Sequence, residues 1–160
     1  MSIDENSLRS ARTTFATLCA FLDERDWKYA KDEANLVVNS GARGDDLPMD
    51  IRFKVDAETQ RVILYSQLPF TVPASKKEAV AVAVCTANDN IITGSFDYDP
   101  DKGVIVFRVT NTFMESLLGK DVFEYMLGIA CYTVDEYNDK LFTLTQRDIS
   151  LDQVYAMFSE

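Results

Sequence analysis

Histidine is absent from this chain. That removes the commonest general base, the commonest transition-metal ligand and every catalytic triad built on imidazole. Cysteine is scarce: Cys19, Cys85 and Cys131 are odd in number, far apart, and set among apolar neighbours in segments that predict helix. They read as three reduced core thiols, with no disulfide framework and no pair spaced for a metal. Burial in the run Ala79-Val80-Ala81-Val82-Ala83-Val84-Cys85 is expected to blunt the Cys85 thiol. Long hydrophobic runs are missing; nothing approaches the roughly 20 apolar residues that span a bilayer. The opening Met1-Ser2-Ile3-Asp4-Glu5-Asn6 is acidic and unlike a signal peptide. No membrane partner and a cytoplasmic location are therefore expected. Positive charge is in deficit, with 16 Lys and Arg against 26 Asp and Glu, a net charge of −10. Such a field repels phosphate backbones, so no nucleic-acid partner is expected. The one basic pair, Lys76-Lys77, reads as solvated surface at a helix start.

What the chain does have is pattern. From Met49 to Asp56 apolar and charged residues alternate, with Met49, Ile51, Phe53 and Val55 on one side and Asp50, Arg52, Lys54 and Asp56 on the other. A period of two needs a strand with one face on a core and one in water. After Ala57-Glu58-Thr59-Gln60, the segment Arg61 to Leu68 returns as its hairpin partner. Ile92 to Tyr98 and Val104 to Thr110 form a second predicted hairpin across Asp99-Pro100-Asp101-Lys102-Gly103. Shorter β-leaning pieces lie at Trp27 to Ala30 and Leu36 to Asn39, with Ser40 to Asp46 predicted as a loop. Helices are predicted to about Arg25, from a Ser2/Glu5 capping box, and from a Ser75/Glu78 capping box to about Asn88. In this second segment the valines alternate as in a strand, while its alanines and cap favour helix. A long helix is predicted from Lys120 to Leu144, with Val122, Met126, Ile129, Thr133, Tyr137, Leu141 and Leu144 on its buried side and Glu124, Asp135 and Asp139 facing away. A short one, capped by Ser150 and Gln153, carries Val154 and Phe158. With 160 residues and no linker, repeat or low-complexity stretch, the reading is one domain over 1–160. It is α+β and two-layered: an antiparallel sheet with helices packed on one face.

Candidate chemistry is thin. Asp97-Tyr98-Asp99-Pro100-Asp101-Lys102-Gly103 alternates carboxylates like a calcium loop, but Lys102 and Arg108 stand where that loop needs glycine and a bidentate glutamate. A β-turn with Gly103 in the left-handed position explains it better. Arg43-Gly44-Asp45 is read as chance, and Gly41 with Gly44 makes no phosphate loop, lacking a strand-to-helix junction. No catalytic residue, cofactor or metal is assigned. In the second helix Val80, Ala83, Val84 and Ala87 share a face, while Ala81, Val82 and Cys85 occupy the opposite one. A helix apolar all round is covered on both sides. Ala81, Val82 and Cys85 are therefore the candidate interface of a homodimer or another partner, unless the long C-terminal helix covers them. The competing reading is a small-molecule sensor or an enzyme with its ligand between sheet and helices, lined by aromatics such as Phe53, Tyr65, Phe96 and Tyr98.

The order of landmarks resembles the YbjN family, labelled a bacterial sensory transduction regulator. Phe21-Leu22 precede Trp27 and Tyr29, and the charged-alternating hairpin ends in Tyr65-Ser66-Gln67-Leu68-Pro69-Phe70. Pro73 opens a helix closing on Asn88 or Asn90; Gly94-Ser95-Phe96-Asp97 and Gly103 to Arg108 make the late hairpin; Asp135-Glu136-Tyr137 lie in the long helix. The resemblance covers roughly residues 8 to 158. It implies a fold similar to type III secretion chaperones, which are cytosolic, acidic, non-enzymatic and commonly dimeric, and which hold partner polypeptides in extended form. In those proteins the helix between the hairpin regions often lies at the subunit interface. The family supplies no agreed catalytic residue. The expected protein is therefore a non-enzymatic, chaperone-like binding or regulatory module that recognises a partner protein as a cytoplasmic homodimer.

Overall fold

Met49, Ile51, Phe53 and Val55 are buried, while Asp50 and Arg52 on the same strand stand exposed. The two-residue period thus fixes which face of the sheet meets the core. The computed structural model describes residues 4–159. In chain order they form α1 (Glu5–Glu24), β1 (Tyr29–Asp32), β2 (Val37–Arg43), β3 (Pro48–Asp56), β4 (Arg61–Gln67), α2 (Lys77–Asn90), β5 (Ser95–Asp99), β6 (Val104–Thr112), α3 (Lys120–Gln146) and α4 (Leu151–Phe158). The six strands make one sheet in the order β1-β2-β3-β4-β6-β5, antiparallel at every pairing. The helices pack against one side of it: α1 on β3, α3 on β4 and β6, α2 on β5, and α4 on α2. The opposite side is open, with Arg52, Arg61, Gln67 and Thr110 exposed along it.

Aromatic rings hold the layers together. Phe123 of α3 stacks on Phe21 of α1 at 6.5 Å and meets Phe53 of β3 edge-on at 6.4 Å. Farther along α3, Tyr137 meets Phe96 of β5 edge-on at 5.7 Å and stacks on Phe158 of α4 at 6.1 Å. One helix thereby ties the interior strand β3 to the edge strand β5, and each buried ring adds packing beyond its area.

Several expectations need correction. Ser40 to Arg43 is strand, because Ala42 and Arg43 pair with Met49 and Pro48 and continue the β2–β3 ladder; pairing outweighs the turn preference of Ser and Gly. Ser2 lies outside the described residues; the N-cap of α1 is Asp4, whose carboxylate accepts from the Asn6 and Ser7 amides. Ser75 makes no capping box: it falls inside a 3-10 turn, Ala74–Lys76, that Pro73 starts, so the N-cap of α2 is Lys76, without a side-chain cap. Nor is Lys76 plain solvated surface, since its ammonium reaches the Arg147 carbonyl at 2.8 Å and pairs with Asp148. Of the supposed core thiols, Cys19 and Cys131 are half-buried and Cys85 is exposed. Helical period turns Cys85 outward with Ala81, whatever the apolar run around it. On α3 the buried stripe is rotated toward Phe123, Leu127, Ala130 and Val134, leaving Val122 and Ile129 only half-buried. The Ser150/Gln153 capping box does form. The Asp99–Gly103 turn also stands as read, with Asp99 accepting from the Asp101 and Lys102 amides and Gly103 at φ +68°.

Candidate functional site

The end of α1 sets up a cleft. Asp26 takes a left-handed conformation, φ 53°, and turns the chain so that the Trp27 amide donates to the Leu22 carbonyl at 2.9 Å. The Trp27 indole then donates to the Ser40 hydroxyl at 2.7 Å, and that hydroxyl donates to the Lys28 carbonyl at 2.6 Å. This clamp locks the entry to β1 against β2. From there β1 pairs with β2 only between Tyr29↔Ser40 and Asp32↔Val37. Gly41, Ala42 and Arg43 continue beyond it, paired with β3 alone. On that side the β2 backbone has no strand beside it.

Against this overhang lies a cleft of about 780 Å³. Phe21 of α1, Trp27, Met49 of β3, and Leu127 and Cys131 of α3 supply apolar walls; Arg25, Lys28, Arg43, Asp26 and Glu124 stand at the rim. Arg25 pairs with Glu124, and Lys28 with Asp26 at 2.9 Å, whereas Arg43 makes no ion pair among the described residues. Gly128 also lines the cleft, and a Cβ placed there would meet nothing within 4 Å. A glycine within a helix costs stability, so the fold of this chain alone gives no reason for it. Beyond the cleft lining, α3 is tied to the β2–β3 loop by Asp135, which was expected to face away. Its carboxylate instead accepts from the Asp45 amide at 2.9 Å, and a Cβ at Gly44 would lie 2.0 Å from its Oδ1, so that a side chain there would push the carboxylate off this bond. Gly44 in the tripeptide set aside as chance therefore has a structural task.

The Cys131 thiol in the cleft wall is held back from the thiolate form. Burial pushes the Cys131 thiol above its ordinary value, aided by the Asp135 charge. At the neighbouring edge burial likewise raises Cys19, and Tyr29, which donates to Asp23 at 2.9 Å, is raised by burial and by that bond. Among the described residues no group of three or more Cys, Asp or Glu is arranged to hold a metal ion, and no helix is long and apolar enough to cross a membrane.

The residues singled out from sequence lie elsewhere. Ala81 and Cys85 are exposed and Val82 half-buried, while Val80, Ala83, Val84 and Ala87 are buried. Helix α4 packs on α2 yet leaves that outer face uncovered, and its own Leu151 and Tyr155 are 46% and 60% exposed nearby. Cys85 and Tyr155 border the same shallow depression. The four aromatics offered as pocket walls do not converge: Phe53 and Phe96 are core, Tyr98 is half-buried, and Tyr65 lies on the open sheet face. Sequence alone assigned no site role to Trp27, Arg43, Leu127 or Gly128. A glycine in mid-helix and the single tryptophan were the available signals.

The family described as "YbjN: Putative bacterial sensory transduction regulator" matches residues 14–143. Among solved structures, the fold is similar to "YbjN, a putative transcription regulator from E. coli" at 13% identity and a TM-score of 0.57, over 79% of this chain and 92% of that one. It is similar to a chain of the ExsC–ExsE complex at 14% identity and a TM-score of 0.58, over 79% and 92%. A chain of the HopA1–SchA chaperone–effector complex aligns at 13% identity and a TM-score of 0.55, over 86% and 99%. The architecture is the type III secretion chaperone-like α+β fold. A search of curated proteins by sequence finds no match.

Proposed function

The chain belongs to the YbjN family, and on that premise we propose that it works by contact alone, as a non-enzymatic cytoplasmic module that takes an extended segment of a partner protein into the cleft beside β2. The observation that carries this reading is the overhang of Gly41 to Arg43, whose open backbone runs along apolar walls. A partner strand laid there continues the line of β1 and gains main-chain hydrogen bonds, while Trp27, Met49 and Leu127 receive its side chains. Gly128 leaves room for that chain to approach α3. That a chain of similar fold occurs in a chaperone–effector complex supports the reading, and three free cysteines suit a reducing compartment.

The second part of the proposal is a homodimer through the outer face of α2, with Ala81, Val82 and Cys85 at its centre and Leu151 and Tyr155 of α4 beside them. It is supported by apolar side chains that this chain leaves uncovered.

One gentle affinity isolation tests both parts. The wild type is expected to retain a polypeptide that Gly128→Glu loses, because a carboxylate fills the cleft without touching the core. Wild-type protein that repeatedly retains nothing above background sinks the cleft reading. A metabolite that raises the melting temperature of the wild type but not of Gly128→Glu makes the cleft a small-molecule site instead. Light scattering behind size exclusion is expected to give twice 18.1 kDa at micromolar concentration; a mass of 18.1 kDa contradicts the dimer.

A further inference from the structure

The open side of the sheet carries a second and different surface. Three rows of directly paired residues cross its centre. Arg52 of β3, Tyr65 of β4 and Arg108 of β6 form one; Lys54 and Ile63 form the next; Asp56 and Arg61 the third. Arg108 is held by Asp97 through bonds of 2.6 and 3.1 Å. Arg52, Lys54 and Arg61 make no ion pair among the described residues, although the chain carries ten more negative than positive charges. Carboxylates that could neutralise these cations from within are thus in excess, yet the central ones are left free. Ile63, Tyr65 and Val106 are half-buried between them, and a depression of about 360 Å³ opens over Arg52, Lys54, Tyr65, Gln67 and Val106, with Asp50 as its one carboxylate.

We infer that this face docks an acidic amphipathic helix of a partner protein. A sheet face offers no backbone bonds to an extended chain but accepts the apolar stripe of a helix. Arg52 and Lys54 are two residues apart on one strand, about 7 Å. Carboxylates four residues apart on a helix are separated by about 6 Å along its axis, so one acidic border can meet both cations. Its apolar stripe then seats on Ile63, Tyr65 and Val106. Arg and Tyr are the side chains that most often anchor interfaces. Asp50 and Asp56 border the same cations, so recognition rests on the free cations together with the apolar centre. A phosphate backbone suits the face less well because it has no apolar stripe to set on Ile63, Tyr65 and Val106. This surface is distinct from the cleft and does not depend on it.

The test uses a designed helical peptide of about 20 residues with a leucine stripe bordered by glutamates at i and i+4, and its counterpart with lysines in place of the glutamates. Calorimetry and amide NMR shifts are read on the full chain. The acidic probe is expected to shift the amides of Lys54, Ile63, Tyr65 and Arg108 and to weaken with added salt. Its affinity is expected to fall about tenfold in the double variant Arg52→Glu/Lys54→Glu. Arg52→Gln/Lys54→Gln, milder should reversal disturb the fold, is expected to weaken it less, and Gly128→Glu to leave it unchanged. Failure of the acidic probe to bind, equal binding of the lysine probe, or affinity indifferent to the charge variants overturns the inference. Tighter binding of a single-stranded DNA of similar length overturns it in favour of a nucleic-acid face, and sensitivity to Gly128→Glu alone assigns the probe to the cleft.

Discussion

Gly94 shows how much one residue can fix. Its φ is +84°, and a Cβ there would lie 2.6 Å from the Phe107 ring and 2.9 Å from the Arg108 carbonyl oxygen. Just beyond it, the Asn88 side chain accepts from the Phe96 amide at 2.8 Å and donates to the Phe96 carbonyl at 2.9 Å. An amide on a helix here stands in for a neighbouring strand and closes the outer edge of β5. Gly94→Ala should therefore lower stability by more than about 1 kcal/mol, through a forbidden conformation and through contact with the core ring. Denaturant unfolding followed by far-UV circular dichroism checks it; an unchanged midpoint contradicts the close approach. Asp99 supplies a pH test. Hydrogen bonds from Lys102, first its amide, hold the Asp99 carboxyl below the usual carboxylate range. A depressed folded-state pKa means the group stabilises above about pH 4 and loses that contribution as pH falls through its folded value. Asp99→Asn should therefore show a smaller loss of melting temperature between about pH 5 and about pH 3 than the wild type.

Helix α2 is where reading the sequence by element succeeded and failed at once. Its two faces were legible, because Val80, Ala83, Val84 and Ala87 recur at helical spacing and are buried as that spacing requires. Burial of Cys85 was misjudged from its apolar neighbours, since hydrophobic company in sequence says nothing about direction around a helix. The same distinction holds for strands. The alternation of β3 announced its buried side residue by residue, whereas the end of β2 looked like a loop because Gly41 and Ser40 carry no strand signal of their own. Only their partner on β3 makes them strand. At this scale the proposed dimer makes a kinetic prediction. In the assembled wild type, alkylation of Cys85 should be slow, and Ala81→Glu should speed it while reducing the mass to that of one chain. Peptide mapping after timed iodoacetamide treatment measures it. Equal rates in the two proteins place the contact elsewhere.

Across the whole molecule, α3 is the member that joins the middle of the sheet to its β5 edge. Phe123, 0% exposed, bridges α1 and the interior strand β3, and Tyr137 bridges the edge strand β5 and α4. Truncating Phe123 to alanine should cost about 3–5 kcal/mol, and fluorescence and circular dichroism should still report one shared transition if the layers form a single cooperative unit. Divergent transitions would show two separable halves. The class of fold was readable from two hairpins set among helices. The order β4-β6-β5 was not, because nothing local encodes that β6 returns to lie between its hairpin partner and β4. The cleft was hidden for the same reason: it exists only because β1 stops short of β2 and α3 crosses nearby.

The clamp at Trp27 has one practical outcome. This is the chain's single tryptophan, and it stands in the cleft wall with its indole tied to Ser40. Intrinsic emission therefore arises from one fixed point, and water displaced from its ring will shift the spectrum to the blue. The protein carries its own optical gauge of occupancy, with no label required.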